Sequence, residues 1–122
     1  QFEWPAHVTF SRGRSLAADF ADATFVAYSS STVALEGMLY GRLPIWIDIG
    51  DVPSGDPIAG KHPFAFRAAS GRELAQTIQR VCSLDAGELA ALRAEARAYA
   101  DRYLVEPSPA NVDRMAAVIA TC

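Results

Sequence analysis

Between residues 23 and 49 the chain is mostly apolar or small, and the pattern divides that stretch into four parts. Residues 24–28 (TFVAY) are a short apolar run with no polar alternation, residues 29–31 are serines, residues 31–40 carry apolar side chains at helical spacing up to Gly41, and residues 44–49 (PIWIDI) are a second apolar run. Short unbroken apolar runs read as strands buried on both faces, and a glycine just past the last periodic residue reads as a helix stop. The stretch therefore predicts one βαβ unit.

Residues 7–10 (HVTF) predict a first strand, followed by a turn at SRGR and a short helix over 15–22 with Leu16, Ala17 and Phe20 inward. After the βαβ unit come fourteen residues, GDVPSGDPIAGKHP, with three glycines, three prolines and no periodicity. A loop of that length inside a compact domain is usually functional or mobile. Residues 62–68 predict a short edge strand marked by Pro63. Ser70 and Glu73 make a capping box for a helix with Leu74, Ile78 and Val81 on its apolar face. Asp85 and Glu88 repeat that signal for a longer helix to about residue 104, with Leu89, Leu92, Ala96, Tyr99 and Tyr103 on one side. A last helix starts at Ser108, has Pro109 in its first turn, and turns Val112, Met115, Ala116 and Ile119 inward. The expected fold is α/β: a three-layer, Rossmann-like domain with a parallel sheet of about four strands, helices on both faces and the C-terminal helices packed alongside. Right-handed crossovers then bring the loops after the strands to one common edge.

At 122 residues the expectation is a single domain over 1–122, and the start at Gln1 so close to a strand suggests a piece of a longer protein. A net charge of -3 and a pI near 5.2 supply no attraction to nucleic acid or to an anionic membrane. No run is long and apolar enough to span a bilayer, because three serines, Glu36 and two glycines break the one at 23–41. Cys82 and Cys122 lack metal-ligand spacing and read as two free thiols in a reducing compartment rather than as a disulfide, which places the protein in the cytoplasm.

Two features could carry chemistry. Ser29, Ser30, Ser31 and Thr32 lie where a parallel strand ends and a helix begins, and free amides there with added hydroxyls suit a phosphate. The plainer alternative is that one serine caps the helix. Glu36 is the single charged side chain between residues 23 and 41, so it is expected in surroundings that exclude water and in need of a partner. It follows Thr32 by four residues and shares its helix face, from which a carboxylate can accept two hydrogen bonds from a ribose diol. The alternative is an ion pair with Arg12 or Arg42. Asp48, Asp51, Asp56, Lys61 and His62 of the long loop are on the same edge, with Asp48 best placed to reach a sugar or an acceptor. Each also reads as a solvated loop charge, two loop aspartates do not make a metal site, and His7 reads as structural.

The segment SSSTVALEGMLYGRLP resembles the donor-binding segment of GT-B glycosyltransferases, especially bacterial enzymes of capsular and surface polysaccharide biosynthesis. A similar pattern occurs in UDP-N-acetylglucosamine 2-epimerase. The similarity covers roughly residues 7 to 50, with two departures: Leu43 separates Arg42 from Pro44, and Leu35 stands where many relatives carry a second acid. The resemblance implies that Ser30, Ser31 and Thr32 contact a nucleotide diphosphate, that Glu36 holds the ribose, and that Arg12 and Gly13 touch the base. It implies a nucleotide sugar of UDP, GDP or CMP type as substrate, no cofactor and no metal. It also implies a glycan or glycolipid acceptor, a missing N-terminal domain that would hold any catalytic base, and a parent enzyme that can sit peripherally at the inner membrane. The catalytic residues are unknown, and this chain alone is expected to be inactive. A UDP-sugar 2-epimerase-like isomerase domain and a non-catalytic α/β interaction module are the competing readings.

Overall fold

A computed structural model describes residues 3–48, 50, 55–104 and 108–120 of the chain. Three strands, β1 (Phe25–Tyr28), β2 (Leu43–Ile47) and β3 (Phe66–Ala68), form a parallel sheet in the order β1-β2-β3. Five helices accompany it among the described residues: α1 (Leu16–Asp22), α2 (Val33–Leu39), α3 (Gly71–Cys82), α4 (Ala86–Ala100) and α5 (Pro109–Ala120). The fold is α/β, built on a small parallel sheet of three strands.

Local signals account for most element ends. Ser15 caps α1 by accepting from the Ala18 N–H, Ser70 caps α3 by accepting from the Glu73 N–H, and Asp85 and Glu88 form a reciprocal capping box on α4. Glu73 itself reaches back one residue further than a strict box requires, to the Ala69 N–H at 2.8 Å. At the other end of α2, Gly41 adopts φ +71, and the N–H groups of Gly41 and Arg42 return to the carbonyls of Met38 and Gly37, each at 2.9 Å. That pair of bonds is the Schellman closure, and it turns the chain straight into β2.

Parallel register pairs Phe25 with Leu43, Tyr28 with Trp46, and Trp46 with Arg67. Paired residues turn their side chains to the same side, so Val26, Tyr28, Trp46 and Arg67 share one face while Ala27, Ile45, Ile47 and Ala68 share the other. The first face carries α2, whose Gly37 lies so close that a Cβ there would come 2.6 Å from Val26 Cγ2 and 3.3 Å from Phe20 of α1. Helix α4 packs beside α2, and α3 packs on β3, with Leu74, Ala27 and Ile47 bordering one crevice. Met38, Leu43, Ile45 and Val81 are fully buried between these layers, each worth about 1.5–3 kcal/mol of transfer free energy.

The sheet has three strands instead of about four, because residues 7–10 form no strand. The Val8 N–H closes a turn on the Pro5 carbonyl at 2.9 Å, and the Phe10 ring packs edge-on against Trp4 instead of on the sheet. Four residues, two of them polar, offer too little apolar surface to offset their ordering. The edge strand expected over 62–68 shrinks to Phe66–Ala68, since the His62 carbonyl accepts from the Ala65 N–H in a turn and its ring stacks on Phe64. Packing of the C-terminal helices alongside the domain holds for α4 but not for α5. Val112, Met115 and Ile119, expected inward, are 59%, 67% and 72% exposed. Helical spacing gathers them on one side of α5, but spacing alone does not supply a surface to cover them.

Gly37 and Gly71 give opposing expectations. Alanine at Gly37 gains about 1 kcal/mol of helix propensity but forces a methyl into Val26 at a cost of about 1–3 kcal/mol. A Cβ at Gly71 meets nothing within 4 Å. Chemical denaturation should therefore show Gly37→Ala destabilised and Gly71→Ala neutral or stabilised; the reverse order would mean that α2 is not seated on Val26.

Candidate functional site at the carboxyl edge of the sheet

All three strands end on one rim, as parallel pairing requires. Beyond β1 come Ser29 to Thr32, beyond β2 come Asp48 and Gly50, and beyond β3 come Ala69 and Ser70. Glu36 sits in the first turn of α2.

The turn after β1 is fixed from three directions. Tyr28, at the end of the strand, donates its hydroxyl to Asp56 Oδ1 at 2.7 Å, and the same oxygen accepts the Ile58 N–H at 2.9 Å. Burial and then the neighbouring Asp56 carboxylate push the Tyr28 phenol far above its ordinary range, so it remains a donor. The Trp46 indole N–H donates to the Ser29 carbonyl at 2.8 Å. The long loop returns against Ser30 at Gly55, where an added Cβ would lie 2.8 Å from the Ser30 Cβ. Residues 55–65 are thus a packed strap: Ile58 and Phe64 are buried, the Ala59 N–H donates to the Tyr99 hydroxyl at 2.9 Å, and His62 stacks on Phe64.

Of the turn's hydroxyls, Ser31 serves the helix, its Oγ accepting from the Val33 N–H at 3.2 Å. Thr32 is the N-cap residue by position but makes no side-chain cap bond. One serine is accordingly spent on capping, and Ser30 and Thr32 stand exposed.

Glu36 is also exposed, which corrects the expectation of dry surroundings. Helix α2 buries Ala34, Leu35, Gly37 and Met38, and at about 100° per residue position 36 falls on the side opposite Ala34 and Met38. No partner is demanded by burial, and among the described residues Glu36 makes no ion pair. Arg42 is engaged elsewhere: its Nη1 donates to the Ala23 carbonyl at 2.7 Å, and its buried Nε meets no partner among the described residues.

Arg12 and Gly13 lie in an exposed loop before α1, with Gly13 at φ +73. Among the described residues no hydrogen bond or ion pair ties Arg12 to the serine turn or to Glu36. The neighbouring Arg14 is paired instead to Asp22 at 2.6 Å and Asp19 at 3.4 Å.

Asp48 borders a crevice of about 570 Å³ at the rim, together with Ala27, Ile47, Gly50, Ser70 and Leu74. Its carboxylate is not free, because it pairs with Arg67 and accepts the Gly50 N–H at 3.0 Å. The Arg67 hydrogen bond, then that amide, hold it below the usual carboxylate range. Ser30, Ser31, Thr32 and Glu36 do not line this crevice, so the expected residues divide between the start of α2 and the ends of β2 and β3. Among the other loop residues, Asp56 is a structural acceptor, Lys61 is exposed, and Asp51 lies outside the described residues. His7, read as structural, is exposed in a turn.

No group of three or more His, Cys, Asp or Glu side chains is placed to hold a metal among the described residues. Cys82 is an exposed free thiol, and Cys122 lies outside the described residues. Among the described residues no helix is long and apolar enough to cross a membrane. In comparisons with known proteins, no family model, no curated protein and no solved structure matches the chain.

Trp46, Tyr28, Gly55 and Arg67 are the residues that the motif reading missed. A tyrosine and a tryptophan near the ends of adjacent strands were the available signal, since each carries one polar atom that needs a partner.

A depressed carboxylate stabilises the fold only while it is ionised. The contribution of Asp48 should be present above its unfolded pKa of about 4 and be lost as pH falls through the lower folded value. Denaturation midpoints of wild type and Asp48→Asn should differ at pH 7 and converge below about pH 4; a gap unchanged at low pH would show that the charge is idle.

Proposed function

We propose that this chain is the nucleotide-sugar-binding domain, Rossmann-like in architecture, of a GT-B type glycosyltransferase acting on a bacterial surface glycan or glycolipid. The exposed amides and hydroxyls of residues 30–32 hold the donor's diphosphate, and Glu36 accepts the two ribose hydroxyls. Developing charge on the leaving diphosphate is then met by fixed donors at the rim of the sheet. The supporting observation is the exposed Glu36 carboxylate, which makes no ion pair among the described residues. It stands one turn beyond exposed Thr32, at the edge where a parallel α/β sheet takes its ligands, while Arg42, past the far end of α2, donates to the Ala23 carbonyl. Asp48, tied to Arg67, contributes to the shape of the rim rather than to sugar binding.

A second reading draws on the uncovered apolar side of α5, which suits a non-catalytic interaction module. Titration calorimetry with UDP, GDP and CMP separates the two. On the transferase reading one nucleotide binds, and Glu36→Ala weakens it by about 1.5–3 kcal/mol, roughly tenfold to more than a hundredfold. Silence with all three nucleotides, or equal affinity in the variant, favours the module. A radiolabelled donor incubated with this chain alone should give no transfer, since the acceptor-side machinery is expected in another domain; product formation would refute that division of labour.

A further inference from the structure

Three side chains in one row across the sheet form a connected support for the serine turn. Tyr28, Trp46 and Arg67 are in register on adjacent strands, so they lie side by side on the same face. The Arg67 guanidinium lies over the Trp46 indole, 4.6 Å from the ring centroid, and is held there by its pair with Asp48. The indole N–H in turn donates to the Ser29 carbonyl at 2.8 Å.

We infer that Trp46 is a positioning residue for nucleotide binding, setting the direction of the Ser30 amide through its hydrogen bond to the Ser29 carbonyl, with Arg67 holding the indole in place. The link is covalent geometry. The Ser29 carbonyl and the Ser30 N–H belong to one planar trans peptide and point in opposite directions. Holding the carbonyl towards β2 therefore aims the N–H away from it. Cation–π stacking and the ion pair restrain the indole on the side away from the turn. Gly55, against Ser30, confines the same peptide from the loop side. A donor fixed in advance costs no reorganisation when an anion arrives. This inference rests on residues 30–32 being the diphosphate seat.

Trp46→Phe is the informative variant, because it removes the indole donor together with part of the ring while keeping an aromatic face for Arg67. UDP, GDP and CMP are titrated against wild type, Trp46→Phe and Arg67→Leu, with the Ser30 amide resonance followed by NMR. The expected result is a dissociation constant raised about 2- to 10-fold in Trp46→Phe and about 2- to 5-fold in Arg67→Leu. The Ser30 amide resonance should shift in both, and the two losses should not add. In a Trp4→Phe background the bound nucleotide should also change Trp46 emission, a signal that a purely structural tryptophan would not give. The Arg67 side chain is 62% exposed, so Arg67→Leu carries the test should Trp46→Phe fail to fold. Equal affinity in wild type and variants overturns the role of Trp46 alone. Failure of wild type to bind any of the three nucleotides overturns the diphosphate seat and this inference together.

Discussion

Strand β2 is the constraint on which the rest of the structure depends. It pairs with a neighbour on each side, and its Leu43, Pro44 and Ile45 are buried. A strand in that position has no free backbone groups to offer water and must be covered above and below. Parallel pairing also forbids tight turns, so each connection has to cross the sheet before the next strand can begin. Helix α2 is one such crossing and the strap over residues 55–65 is part of the other. Both depart from the same rim, which brings the serine turn, Asp48 and the start of α3 to one edge.

At that edge the polar groups fall into two sets. Tyr28, Asp56, Trp46, Arg67 and Asp48 satisfy one another or the backbone and hold the loops in place. Thr32 and Glu36 stand exposed, without a capping bond and without an ion pair among the described residues. The first set ties the loops to the scaffold, whereas the second is open to solvent at the start of α2. Gly37 lets α2 seat closely on Val26, and Glu36 lies near the rim because it is in the first turn of that helix.

Legibility in the sequence follows the range of the interaction. Ser70, Asp85 and Gly41 were readable as helix ends because a cap or a Schellman turn joins residues no more than five apart. The position of Glu36 in the first turn of α2 was readable for the same reason. Its exposure was not. An apolar stretch of sequence suggests a dry environment, but a helix interleaves its buried and open sides, and only the packing of α1, α4 and the sheet decides which side position 36 takes. The failed strand at 7–10 and the uncovered face of α5 have other reasons: four residues, two of them polar, bury too little to be ordered as a strand, and helical spacing gathers apolar residues without supplying a surface to cover them.

By itself, the order of residues determined a parallel βαβ unit, the places where its helices start and stop, and a hydroxyl-rich turn followed one helical turn later by an acid. Tertiary structure decided that the sheet has three strands, that Arg42 serves the Ala23 carbonyl rather than Glu36, and that the turn is held by Trp46, Asp56 and Gly55. The bonds that settle these points join residues 17, 19 and 28 positions apart, at Trp46 to Ser29, Arg42 to Ala23 and Tyr28 to Asp56. Periodicity and capping act within a few residues along the chain, whereas those partners become neighbours only after hydrophobic burial has folded the segments between them.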